Sequence, residues 1–192
     1  MSIQIRPLKI PEEVDDFHRL LRDAYVGSGW YIPQPDGRLI RQRATDETST
    51  TTILVAVKDD QLVGTCSLTL DGDSGLQLDR HFEHEIEAIR KEERTLASSW
   101  RIATILGLRE GNQVVRALLW ANVEYWRKHN IDTCLMTFAP IHESVYAKLL
   151  NCKTVAKVSD PRSQGKPLVL MRYDRENCPS YWEREHGFDI QI

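Results

Sequence analysis

Two hydrophobic periods alternate along the chain, and each changeover marks an element. Ile3 to Leu8 alternates apolar and polar residues as a half-buried strand does. Pro11, Glu12, Glu13 and Asp15 then open a helix with the acidic first turn that the macrodipole favours. Val14, Phe17, Leu20, Leu21 and Tyr25 recur at helical spacing until Gly27 and Gly29. From Trp30 to Thr52 the pattern is irregular and broken by Pro33, Pro35 and Gly37, so this loop is expected to cover a substrate. TTILVAVKD and QLVGTCSLTLD follow as antiparallel strands joined at Asp59 and Asp60.

Leu78 to Arg94 is charged, with Phe82, Ile86 and Ile89 on one side of an amphipathic helix or a broken pair. TLASSWRIATI is the next strand. After the loop LGLREG, Asn112 is the expected N-cap of a helix reaching His129, with Val115, Leu118, Leu119, Val123 and Trp126 on its apolar face. IDTCLMTFA reads as a strand inside a sheet, ended by Pro140, and His142 to Leu150 as a short helix. KTVAKVS and LVLMRYD are the last strands, and the tail at 175–192 is expected to pack as a terminal helix. This order predicts an α+β fold with a mixed sheet, in one domain over 1–192.

Charge narrows the partners. With 25 basic and 28 acidic side chains the chain has no broad positive field, which argues against nucleic acid. Arg38, Arg41 and Arg43 form a local patch suited to an acidic carrier protein or a phosphorylated cofactor, or a solvated loop. Cys66, Cys134, Cys152 and Cys178 form no CxxC pair, and the six histidines show no HxxxH or HxH spacing, so no metal site is expected. Cys66 and Cys134 read as small buried hydrophobes. No apolar run approaches the roughly 20 residues that span a bilayer, and no secretory leader is visible, so a reducing, cytoplasmic setting is expected. The pairs Glu12/Glu13 and Glu92/Glu93 read as solvated helix faces.

The stretch most suggestive of chemistry runs from Gln61 to Ala103. There the strand pattern is interrupted by Ser98, Ser99, Trp100 and Arg101, and polar residues within a buried strand mark places where packing yields to function. Three local patterns accompany it: LVGTCSLTLDGDSGLQLDRHF at 62–82, LASSWRIAT at 96–104 and PIHESVYAKLLNCK at 140–153.

In this order they resemble the GNAT-type acyltransferase superfold, and within it the FeeM-type N-acyl amino acid synthases, related to the acyl-homoserine lactone synthases. The resemblance covers about two thirds of the chain. It implies transfer of an acyl group from a phosphopantetheine thioester, on an acyl carrier protein or coenzyme A, to the amine of an amino acid or similar small acceptor. Two departures qualify this. The glycine-rich pyrophosphate loop of coenzyme A enzymes is absent from LGLREGNQ, which favours a carrier-protein donor over an acetyl-coenzyme A acetyltransferase. Ser98 stands where the synthases carry a Glu that helps take the amine proton, and a hydroxyl is no carboxylate base. A water held by Ser98 and Ser99 relays the proton, another side chain serves, or the domain is a non-catalytic acyl-binding module.

By the same resemblance, Trp100, Arg101, Ile102 and Ala103 are the donor-binding stretch, whose backbone N–H groups would meet the oxyanion. Arg101 is read either as the binder of the acceptor carboxylate or as the partner of an acid such as Asp71. His142, at the end of a central strand, is read as a general base or as a helix-capping residue. Tyr146 matches the family's aromatic position, as proton donor to the leaving thiolate or as core.

Overall fold

Residues 3–27, 29, 50–159, 167–183 and 187–192 are described by a computed structural model, with Arg80 described for its backbone only. The arginine patch of Arg38, Arg41 and Arg43 lies outside them, as does the expected covering loop up to residue 49. The strands are β1 (Gln4–Pro7), β2 (Thr51–Lys58), β3 (Gln61–Leu70), β4 (Leu96–Thr104), β5 (Thr133–Phe138), β6 (Lys153–Ser159), β7 (Pro167–Asp174) and β8 (Asp189–Ile190). The helices are α1 (Val14–Gly27), α2 (Asp79–Arg90), α3 (Leu108–Lys128) and α4 (Glu143–Leu150).

One mixed sheet takes all eight strands, in the order β6-β7-β5-β4-β3-β2-β1-β8. Its pairings are antiparallel except β4 with β5 and β1 with β8. The expected hairpin forms: Asp59 and Asp60 have φ of 50° and 62°, the two left-handed residues of a turn whose twist matches its strands. One sheet face packs on α3 and α4, where Leu54, Cys66, Ala97 and Met136 meet Val114, Leu118, Tyr146 and Leu150. The other packs on α1, through Phe17 and Leu21 against Ile53 and Val55, and on α2, through Phe82, Ile86 and Ile89 against Leu96, Leu135 and Leu170.

Three sequence-based expectations change. Helix α3 starts at Leu108 behind an extended Gly107, so Asn112 lies inside it and LREG is its first turn. Gly111 is there for packing, since a Cβ would sit 2.7 Å from the Leu106 carbonyl oxygen. The tail is no terminal helix. Two 3-10 turns, Arg175–Asn177 and Ser180–Glu183, lead instead to β8. Its aromatics dictate that path: Trp182 stacks on Trp120 with centroids 4.7 Å apart, and its indole N–H, like the Tyr181 hydroxyl, donates to the Leu149 carbonyl.

Of the glutamates read as solvated faces, Glu13 is half-buried against Arg6, while Glu92 stays exposed and pairs with Arg172. Glu92 accepts both terminal nitrogens of Arg172 at 2.7 Å, and Glu13 binds Arg6 at 2.6 and 2.8 Å. Helical spacing records a residue's face but not the arginine brought to it from a distant strand. The third change is thus the ion pair that Glu13 makes with Arg6, seven residues before it on β1.

Gly64, on β3, lies under α3. A Cβ there would fall 2.4 Å from Val114 Cγ1 and 3.1 Å from the Ala103 carbonyl oxygen. Gly64→Ala is expected to destabilise the protein by about 1–3 kcal/mol, read from urea denaturation.

The Arg6 partner lowers the Glu13 pKa from 4.5 to about 2. Because the folded value is the lower one, the pair's stabilisation is present above pH 4.5 and is lost as pH falls towards 2. Glu13→Gln should remove stability at pH 6 and flatten the acid limb of denaturation midpoint against pH.

Candidate active site

Strands β4 and β5 run side by side from Leu96↔Thr133 to Ser99↔Met136, and their pairing stops there. Beyond that point β4 continues to Thr104 paired with β3, while β5 continues to Phe138 paired with β7. Among the described residues no strand pairs with the β5-facing edge of β4 from Trp100 to Thr104. The two strands part towards their C-terminal ends, where α3 and α4 begin.

At this parting β4 is bulged. Thr65 pairs with Ala103 and Ser67 with Trp100, which sets the single residue Cys66 against Arg101 and Ile102. Arg101 has φ of 55°, and it is the one non-glycine residue inside a strand, among those described, with positive φ. Such a left-handed arginine costs about 1–2 kcal/mol. Strain of this kind collects where a fold holds a backbone for use. Its guanidinium is buried: Nε donates to Ser67 Oγ at 2.9 Å, and the central carbon lies 3.9 Å from the Trp100 ring and 5.1 Å from the Phe17 ring. The Trp100 indole is tied to β3 by a 3.0 Å bond to Thr69 Oγ1, which in turn meets Thr51 Oγ1 at 2.9 Å.

Ser98 and Ser99 are both buried, yet as strand neighbours they face opposite sides. Ser98 Oγ donates to Gln77 Oε1 at 2.8 Å on the α2 side; Ser99 Oγ lies 3.2 Å from Cys66 Sγ on the α3 side, where the thiol also donates to Asn122 Oδ1 at 3.3 Å. The sheet stands between the two hydroxyls. A single water shared by Ser98 and Ser99 is therefore ruled out. Burial pushes the Cys66 thiol up to about 11, so at neutral pH it is an un-ionised, poor nucleophile.

Asp71 is not the partner of Arg101. It receives two 2.8 Å bonds from Arg90, which also reaches Asp79 at 2.9 Å and Glu87 at 2.6 Å. Asp79 accepts the Leu76 N–H at 2.7 Å, so Arg90 clamps the turn that delivers Gln77 to Ser98. These acids hold the Arg90 guanidinium well above its ordinary pKa, Asp71 contributing most. Within this turn two buried atoms have no hydrogen-bond partner, Gln77 Nε2 and Asp79 Oδ1. An unmet buried donor costs about 1–3 kcal/mol.

Across the gap, Phe138 stacks on Tyr146 at 3.6 Å between centroids. Burial raises the Tyr146 phenol, with Cys66 and Tyr25 in electrostatic reach, so it stays protonated at neutral pH. His142 is exposed at the end of β5 and precedes α4 without capping it through its side chain. β4 thus carries Trp100, Arg101, Ile102 and Ala103 past the parting and Ser98 and Ser99 before it, while Tyr146 on α4 lies 6.5 Å, ring to ring, from the exposed His142. Gln77, Ser67 and Phe17 were not foreseen. Gln77 lies between Leu76 and Leu78 in a short apolar run, where no period distinguishes a buried amide from a loop residue.

A sequence profile of the family described as N-acyl amino acid synthase FeeM matches residues 16–174. The chain belongs to that family. It is an N-acyltransferase, and the family's span includes both parting strands. No curated protein sequence matches the chain. Among solved structures, FeeM, an N-acyl amino acid synthase from uncultured soil microbes, is similar at a TM-score of 0.76 and 22% identity, over 91% of this chain and 92% of that one. BjaI, a coenzyme A-dependent acyl-homoserine lactone synthase solved with SAM and isopentyl-CoA, is similar at 0.72 and 13%, over 99% and 93%. Aminoglycoside 6'-acetyltransferase type Ii follows at 0.60 and 16%, over 91% and 97%. At these identities the structural likeness speaks for the fold, which is that of GNAT-like acyltransferases.

The strain at Arg101 is measurable. In an ordinary strand glycine is less stable than alanine by about 0.5–1 kcal/mol. Here Arg101→Gly is expected to be more stable than Arg101→Ala by about 1 kcal/mol, because only glycine relieves the left-handed backbone. Paired denaturation curves decide it, and the ordinary order would show the bulge to be unstrained.

Proposed function

We propose that this family member joins an acyl chain from a phosphopantetheine thioester to the amine of an amino acid or a similar small acceptor. The observation carrying this reading is the parting of β4 from β5 beside the strained, buried Arg101. A slender thioester arm laid along the freed edge of β4 completes the broken sheet with its own amides. The thioester carbonyl then lies near the backbone N–H groups of Trp100 to Ala103, which suit a developing oxyanion.

The acceptor amine attacks that carbon, forming the C–N bond; the tetrahedral intermediate collapses with loss of the C–S bond, and the leaving thiolate takes a proton. Tyr146, buried on α4 against Phe138, is the proposed donor of that proton. The amine must lose one in exchange. Ser98 has no carboxylate to accept it, and neither serine shares a water with the other, so His142 at the rim is the proposed base for the attacking amine. Arg101 is the proposed grip on the acceptor carboxylate, and Asp71 serves the acceptor site through the Arg90 clamp.

An acyl carrier protein is the favoured donor. The loop LGLREGNQ keeps Gly107 and Gly111 but not the glycine-rich motif, and in the first turn of α3 Glu110 already occupies Lys58 at 2.7 Å, a cation that could otherwise meet a pyrophosphate. A carrier protein brings only the pantetheine arm to the gap.

Acyl-carrier protein and acyl-coenzyme A of matched chain length, incubated with a pool of amino acids, should give N-acyl products by mass spectrometry, faster from the carrier protein. Arg101→Lys is expected to lower kcat/KM at least tenfold, since an ammonium cannot reproduce the stacked, forked guanidinium. No acylated amine from either donor would defeat the proposal.

A further inference from the structure

The exposed apolar side chains of this protein are not scattered. Among the described residues five large ones are exposed, and four stand at one end of the molecule: Ile105 and Leu108 where β4 passes into α3, and Ile141 and Val145 where β5 passes into α4. Leu108 and Ile141 are 88% and 79% exposed. Single apolar residues on a surface mean little, but a group gathered about one opening marks an interaction site. β4 and β5 are parallel neighbours, so their C-terminal ends and the helix starts that follow share one edge of the sheet.

The two helix starts also stand level. Trp182 stacks on Trp120 of α3 and, with Tyr181, donates to the Leu149 carbonyl of α4, while Arg116 of α3 lies within electrostatic reach of the Tyr181 phenol. Leu108 precedes Arg116 by as many residues as Ile141 precedes Leu149, on helices that run the same way, so the two apolar tips reach similar heights.

Charge selects the occupant. The acids at these starts are engaged within the chain: Glu110 holds Lys58 at 2.7 Å, and Glu143 holds Lys157 at 2.8 Å and accepts from Thr154 at 2.6 Å. Arg109 and Arg116 on α3 and Lys148 on α4 are exposed and enter no ion pair among the described residues. Asp59 and Asp60 reach the same end of the sheet, but on the β3 side of β4, away from the opening. Apolar tips among unpaired cations therefore border the opening, on a chain whose overall charge is -3. Resting on the reading of the donor as a carrier protein, we propose that this border is the face on which an acidic acyl carrier protein docks. Its carboxylates meet Arg109, Arg116 and Lys148, its apolar surface receives Leu108 and Ile141, and its arm enters between the two helix starts towards the freed edge of β4.

Acyl-pantetheine, which carries the same arm without the protein, separates docking from chemistry. The double variant Arg116→Glu, Lys148→Glu reverses two exposed charges, and Leu108→Ser removes an exposed apolar tip; both are expected to keep the wild-type folding midpoint. The charge-reversed protein is expected to raise the acyl-carrier-protein KM about tenfold or more and to flatten its rise with salt, and Leu108→Ser to raise it about threefold. The acyl-pantetheine KM and kcat should stay at wild-type values in both, and calorimetric titration with the unacylated holo carrier protein should rank the three proteins in the same order. A carrier-protein KM unmoved by charge reversal, or an acyl-pantetheine KM raised equally, overturns the docking face and leaves the transfer reading standing. Loss of binding to phosphatidylglycerol vesicles in the charge-reversed protein, with carrier-protein binding intact, overturns it in favour of a lipid surface. A wild type that takes acyl chains from coenzyme A alone overturns the face together with its donor. Holo carrier protein bound in this charge-dependent way, with no acyl transfer from any donor, overturns the transfer reading and leaves the docking face standing.

Discussion

Two neighbouring parallel strands that stop pairing are the constraint on which the rest depends. β4 and β5 share four residue pairs and then part at Ser99 and Met136. A sheet parted in its middle gives up the strand-to-strand bonds of that stretch, and buried backbone groups there need partners of another kind. Each flank stays paired on its outer side, β4 with β3 and β5 with β7, so the opening is held from both sides. The helices that begin past the two strand ends, α3 and α4, keep their bodies in one core with Val114, Leu118, Tyr146 and Leu150. The gap is thus a fixed property of the core.

The chemistry is divided by the plane of the sheet. On the α1/α2 side lie Ser98, Trp100 and Arg101 with their hydroxyl, indole and amide partners; on the α3 side lie Ser99, the raised thiol of Cys66 and Asn122. Adjacent residues of β4 therefore belong to separate environments. A serine beside a serine looks like one polar site in the sequence and is two in space.

Much of the framework was legible because it rests on local periods. β6 occupies the stretch read for it, and the Asp59–Asp60 turn and the helix over 143–150 follow from residue type and spacing. What was not legible depends on distant partners. Nothing near Glu92 announces Arg172, and nothing near Asp71 announces Arg90. The start of α3 was placed late because Gly111 reads as a loop residue, whereas its missing side chain accommodates the Leu106 carbonyl. Of the site, Arg101 was visible as an oddity in a strand, while its left-handed backbone and its place between two rings are consequences of a bulge set by register with β3. Gln77 was invisible for the same reason: its significance lies in Ser98, across the chain.

The short strand β8 adds a different kind of consequence. It lies parallel to β1 at the sheet's margin, where the Gln191 N–H donates to the Ile5 carbonyl and Lys128 Nζ reaches the Ile192 carbonyl. An uncovered β1 would offer a row of free backbone groups to any passing strand, including that of another copy. Two residues of pairing, pinned by a lysine from α3, shield that row. Residues 189–192 thus act as a selvedge along Gln4 and Ile5 of β1.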